Sequence, residues 1–153
     1  MTTPVELAPP LSGRDAVADA LYRYLLGCDT SNVELFDSSF TENSTFTLNG
    51  QSSKGLAEIR ANVYDRISKL DTTHSLTNIR INIESSEVDA SITANAISQH
   101  YRQGKGLAPG ESSLLVGTLY NGTLTRDKGS SLWKIKDLSI KMIWADGDFA
   151  VMA

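Results

Sequence analysis

The chain has one cysteine and two histidines in 153 residues, and each scarcity limits what the protein can be. A lone Cys28 cannot form an internal disulfide, which fits a reducing, cytoplasmic setting. No apolar run approaches the roughly 20 residues a membrane-spanning helix needs, so no membrane partner is expected. Basic residues do not predominate. Fourteen Lys and Arg against 18 Asp and Glu give a net charge of -4. With no Lys/Arg cluster to override that total, a general nucleic-acid binder is excluded. No Gly-rich loop leads from a strand into a helix, so phosphate and dinucleotide sites have no support. No serine lies in a Gly-x-Ser-x-Gly elbow. Cys28 has neither a helix N-terminus nor a nearby cation to activate it as a nucleophile.

What is present reads as one domain over residues 12–153, preceded by a flexible arm over 1–11 that holds Pro4, Pro9 and Pro10. Ser12 with Asp15 forms a capping-box-like start to a first helix. Val17, Leu21, Tyr24, Leu25 and Cys28 recur at helical spacing, and Asp29 falls at the C-terminal boundary. A carboxylate there faces the negative end of the helix dipole, so it needs solvent or a partner elsewhere. Asn32 to Phe40 reads as a short helix that buries Val33, Leu35, Phe36 and Phe40. Ser44 to Leu48 reads as a strand closed by Asn49-Gly50. A third helix starts at Ser53 with a stripe of Leu56, Ile59, Val63, Ile67 and Leu70.

Beyond Asp71 the period changes to two. Strand-like runs span about 75–84, 88–102, 113–126 and 132–144, joined by turn-forming stretches. Helices first and a long antiparallel meander afterwards predict an α+β fold: a curved antiparallel sheet wrapped on N-terminal helices, a cone-shaped barrel with an apolar pocket.

The two histidines and Asp29 are the candidates for chemistry. Alternation puts His100 on the apolar face of its strand with Val88, Ala90, Ile92, Ala94, Ala96 and Ser98. There it is either a core histidine satisfied by one hydrogen bond or an acid–base group whose pKa burial would lower. His74 alternates with Leu76 and Asn78, opposite the Ile79, Ile81 and Ile83 face. Either a bulge near Thr77 changes the face, or His74 precedes regular pairing. Two His and one Asp are also a metal-triad inventory. The open iron site usually has His and carboxylate two residues apart, a spacing absent here, so no metal is expected.

Cys28-Asp29 at the end of the first helix, Thr73-His74 at the sheet entry and His100 late in the next strand form an ordered set. With Trp133-Lys134-Ile135 and Ile143-Trp144-Ala145-Asp146, the set resembles the scytalone dehydratases. More broadly it resembles the SnoaL-like group of the nuclear-transport-factor-2-like superfamily. The resemblance covers about residues 12–148. It implies a deep apolar pocket without cofactor, and dehydration or isomerisation of a polyketide-like or terpenoid-like secondary metabolite. It further implies that Asp29 orients an imidazole, that His100 is the one it bonds, and that His74 is the general acid/base. Cys28 stands where the dehydratases have a tyrosine. A second family tyrosine falls near Phe46 or Leu48. Tyr120 or Asn121 could replace the missing polar group, with Tyr24 and Trp144 also assigned to the substrate pocket. The C-terminal segment that covers the dehydratase pocket is expected to be largely missing. Self-association as a dimer or trimer through the sheet follows from the same resemblance. The competing reading is a non-catalytic small-molecule binding or assembly module of the same fold.

Overall fold

The computed structural model describes residues 3–153. Helix α1 runs over Gly13–Asp29, with Ser12 as its N-cap in extended backbone. The Ser12 side chain makes no capping bond, so the expected capping box does not form. The predicted stripe is the buried face: Val17, Leu21, Tyr24, Leu25 and Cys28 are at most 5 % exposed. Helix α2 spans Val33–Ser38 and is capped by Asn32, whose Oδ1 accepts from the Leu35 amide at 3.1 Å. Leu35 and Phe36 are buried, but Val33 is exposed, and Phe40 belongs to the next strand. Only a glycine at position 27 lets α2 pack this closely on α1, because a Cβ there would meet the Phe36 backbone at 2.6 Å.

Strand β1 (Phe40–Leu48) turns at Asn49-Gly50, both with positive φ, into β2 (Gln51–Lys54). The Asn-Gly pair is thus the turn its sequence signals, here a two-residue hairpin connection. The third helical segment starts later than Ser53. It consists of α3 (Leu56–Ile59), a π-helical stretch over Arg60–Tyr64 and a last turn, α4 (Asp65–Ile67).

Four long strands follow: β3 (Leu70–Ile83), β4 (Asp89–Arg102), β5 (Ser113–Arg126) and β6 (Trp133–Gly147). A 3-10 turn, Phe149–Met152, comes last. The sheet order is β2-β1-β6-β5-β4-β3. All neighbours are antiparallel except β1 and β6, which run parallel. The sheet is curved and unclosed, and its inner face takes the helices. Ile92, Ala94 and Ala96 of β4, Tyr120 and Leu124 of β5, and Ile135, Leu138 and Ile140 of β6 form one core with the α1 stripe. The small alanines of β4 leave space there that larger residues would fill. Arg23 ties α1 to the start of β6, with Nη2 donating to the Trp133 carbonyl and Nε paired with Asp19 at 2.8 Å.

Two of the sheet's register irregularities set which way the candidate site residues face. In β3, Thr77 pairs with Asn95 and Arg80 with Thr93, so Asn78 and Ile79 oppose a single residue of β4. Asn78 takes φ +52, and the inward parity switches from His74 and Leu76 to Ile79, Ile81 and Ile83. In β6, Gly117 pairs with Trp144 but Thr118 with Met142, so Ile143 is the extra residue. Met142 therefore faces in and Trp144 faces out.

Candidate active site

The inner face of β3–β6, the helical segment 56–67 and the C-terminal turn enclose a cavity of about 270 Å³. It lies just below the ~300–1,000 Å³ usual for small-molecule sites. Its wall is mostly apolar, and the polar groups that enter it are few: His74, His100, Ser98, Thr118, Tyr24, Tyr120, Asn62 and Arg66.

Asp29, the last residue of α1, meets β3 where Thr72 and His74 point inward. Its Oδ1 accepts from Thr72 Oγ1 at 2.7 Å and from His74 Nδ1 at 2.6 Å, while Oδ2 accepts from the His74 main-chain amide at 2.9 Å. Burial alone would raise the carboxyl pKa. The His74 ring, its charge, the Thr72 hydroxyl and the His74 amide outweigh that and hold it below the ordinary value. These donors also answer the unfavourable place of a carboxylate at a helix C-terminus. With Nδ1–H committed to Asp29, neutral His74 carries its lone pair on Nε2, and the ring lines the cavity.

His100 faces inward, as alternation predicts, and is 4 % exposed. Its partner is not Asp29. Nδ1 donates to the Leu114 carbonyl at 3.1 Å, and the two imidazoles stand edge to face with centroids 5.4 Å apart. Desolvation pushes the His100 pKa down; the Leu114 carbonyl partly restores it, and the neighbouring His74 lowers it further. The expected pairing is therefore corrected: the carboxylate orients His74. The reason is register, since His74 pairs with Ser98 and lies directly over the end of α1.

Tyr24, Phe46, Leu48 and Tyr120 line the cavity as expected. Burial keeps the Tyr24 and Tyr120 phenols protonated, with both pKa values raised and each phenol contributing to the other's surroundings. Asn121 and Trp144 do not line it. Tyr120 faces in, so its strand neighbour Asn121 faces out. The Ile143 bulge turns Trp144 outward over Gly117. Cys28 is buried, and desolvation and Asp29 both raise its thiol pKa, which leaves it protonated.

Sequence reasoning missed other lining residues. Leu114, Val116 and Thr118 share the parity of Tyr120, as Ser98 shares that of His100, so their signal was present. Asn62 and Arg66 flank the predicted stripe residues Val63 and Ile67, which also line the cavity, and as polar residues they carry no apolar signal. Phe149 and Met152 of the final turn also line the cavity. Among the described residues no three His, Cys, Asp or Glu side chains are grouped to hold a metal ion, and no helix is long and apolar enough to cross a membrane.

A curved, unclosed six-stranded sheet over N-terminal helices is the cone fold of the nuclear-transport-factor-2-like superfamily. Within it, the chain belongs to the SnoaL-like domain family, which matches residues 9–139. Terrestric acid biosynthesis cluster protein E of Penicillium crustosum is 47 % identical over 148 residues, covering 97 % of this chain and 94 % of that protein. Similar solved structures include a hexachlorocyclohexane dehydrochlorinase of Novosphingobium barchaimii. It has a TM-score of 0.70 at 18 % identity and covers 89 % of this chain and 90 % of that one. Another is a protein of Novosphingobium aromaticivorans provisionally assigned as a scytalone dehydratase. Its TM-score is 0.74 at 17 % identity, with 88 % and 87 % of the two chains covered. At these identities the structures speak to the fold alone.

Proposed function

We propose that the chain is a cofactor-independent lyase or isomerase of the cytoplasm, acting on a polyketide-like or terpenoid-like secondary-metabolite intermediate. The observation that carries this reading is the Asp29–His74 pair, which directs an imidazole Nε2 into an apolar cavity. His74 Nε2 takes a proton from carbon next to a carbonyl, and Asp29 holds the ring and stabilises the imidazolium. The C–H electrons form the new double bond. In a dehydration the adjacent C–O bond breaks, and the proton held by His74 leaves with the hydroxyl as water. In an isomerisation the same proton returns to a different carbon. Each positioned transfer is worth about 10²–10⁴-fold. His100, kept neutral by burial, accepts a hydrogen bond from a substrate hydroxyl and so orients it. The protonated Tyr120 phenol, itself accepting from Tyr24, supplies a donor for the carbonyl oxygen on which charge develops. The relative's place in a biosynthesis cluster supports a secondary-metabolite substrate. A dehydrochlorinase and a protein provisionally assigned as a dehydratase share this fold, so the fold accommodates elimination.

On the outer face Ile97, Leu119, Ile143 and Trp144 are 44–52 % exposed, which supports self-association there as a dimer or trimer. The same face supports the second reading, a binding or assembly module without turnover. The test replaces His74 by Gln in the producing organism and compares metabolites by mass spectrometry with wild type and a strain lacking the chain. The expected result is a precursor that exceeds the lost product by the mass of one water, or is its isomer. An unchanged profile in His74→Gln, alongside a changed profile in the strain lacking the chain, would favour the binding module.

A further inference from the structure

The cavity wall contains one guanidinium and no carboxylate. Arg66 lies in the last turn of the helical segment and is exposed at the cavity mouth, with Asn62 four residues before it. Asn62 and Val63, then Arg66 and Ile67 four residues on, all reach the cavity from one face of the segment. Asn62 is fixed by its Nδ2, which donates to Ser53 Oγ at 3.0 Å. Arg66 has no such tie. Among the described residues no carboxylate is in ion-pair range of it, whereas Arg23 and Arg60 each hold an aspartate. Most of the remaining wall is apolar, with Phe149 and Met152 contributed by the C-terminal turn. A planar cation with five donors, unpaired at the rim of a mostly apolar wall, suits a planar anion.

We propose that Arg66 anchors the acidic group of the substrate, so that the site takes an apolar carboxylic acid with its carboxylate at the mouth and its reacting carbon near His74. This rests on the reading of the cavity as the substrate site and adds the substrate's chemical class. Anchoring at the rim fixes one end of the molecule, which restricts the carbons that can present a C–H to the His74 Nε2.

The test uses phenylbutyrate and its neutral isostere phenylbutyramide, titrated into the full chain and followed by NMR shifts of cavity residues. Wild type should bind the acid at least about tenfold more tightly than the amide, the size of one charge-assisted contact. Added salt should narrow that gap. Arg66→Met, an exposed substitution that leaves the core intact, should bind both probes alike and at the amide's affinity. In His74→Gln the preference for the acid should persist, which separates anchoring by Arg66 from attraction to an imidazolium. It also separates this inference from the acid–base reading, since loss of turnover in that variant leaves the preference in place. Equal binding of the two probes by wild type, binding of neither, or a preference that survives Arg66→Met would overturn the proposal.

Discussion

Asp29 receives both hydrogen bonds that His74 can offer it, from the ring Nδ1 at 2.6 Å and from the main-chain amide at 2.9 Å. The contact joins the end of α1 to β3 across 45 residues of sequence. One bond sets the ring's tautomer and the other sets the strand's position against the helix. Nε2 is thereby left free toward an apolar cavity, where a base is not already hydrogen-bonded by the protein.

Acid should loosen the fold in two stages. His100 has a folded pKa below its unfolded value of about 6.5, so the unfolded chain binds the proton more readily. Its contribution is complete above that pH and is lost as pH falls toward the folded value. Asp29 behaves in the same direction at lower pH, because its depressed carboxyl contributes fully above about 3.9 and is lost as pH falls through the folded value. Melting temperatures measured from pH 7.5 to pH 5 should fall in wild type and fall less steeply in His100→Asn, whose amide can still donate to the Leu114 carbonyl. Parallel slopes in the two proteins would assign the acid sensitivity elsewhere.

Asn78 should tolerate glycine and resist a β-branched residue. Its φ of +52 is a left-handed conformation that costs most non-glycine side chains about 1–2 kcal/mol. Urea melts should show Asn78→Gly within about 0.5 kcal/mol of wild type and Asn78→Val about 1–2 kcal/mol less stable. Deleting Asn78 removes the bulge, so either His74 and Leu76 or the three isoleucines must turn outward. The deletion should abolish cooperative unfolding.

Gly27→Ala tests the packing that delivers Asp29 to the site. A methyl group at this position would approach the Phe36 amide nitrogen at 2.6 Å, against backbone that cannot rotate away. A loss of about 1–3 kcal/mol in chemical denaturation is expected, although alanine is ordinarily the better helix former. A stabilised Gly27→Ala would show that α2 packs less closely on α1.

The parts of the fold visible in the sequence are those that local periodicity writes down. The α1 stripe, the long strands in their order and the inward face of His100 all follow from spacing. The bulges are different, because a single inserted residue reverses parity and leaves no compositional mark. Asn78 turns His74 and Leu76 inward, where spacing left a bulge near Thr77 and an irregular strand start as alternatives, and Ile143 turns Trp144 outward. The partner of Asp29 was hidden for a related reason. Both histidines lie in adjacent strands, and only the register of His74 with Ser98 decides which ring meets the helix end. The parallel β1–β6 pairing joins segments about 90 residues apart, which no local pattern records.

The most direct measurement is turnover of the precursor that accumulates in the His74→Gln strain, using purified wild type, Asp29→Asn and His74→Gln side by side at neutral pH. The account predicts conversion by wild type to a product lighter by one water or isomeric with the precursor. It predicts a rate about 10²–10⁴-fold lower for Asp29→Asn, and at least as great a loss for His74→Gln, with all three proteins folded by circular dichroism. Equal rates for the three proteins would contradict it.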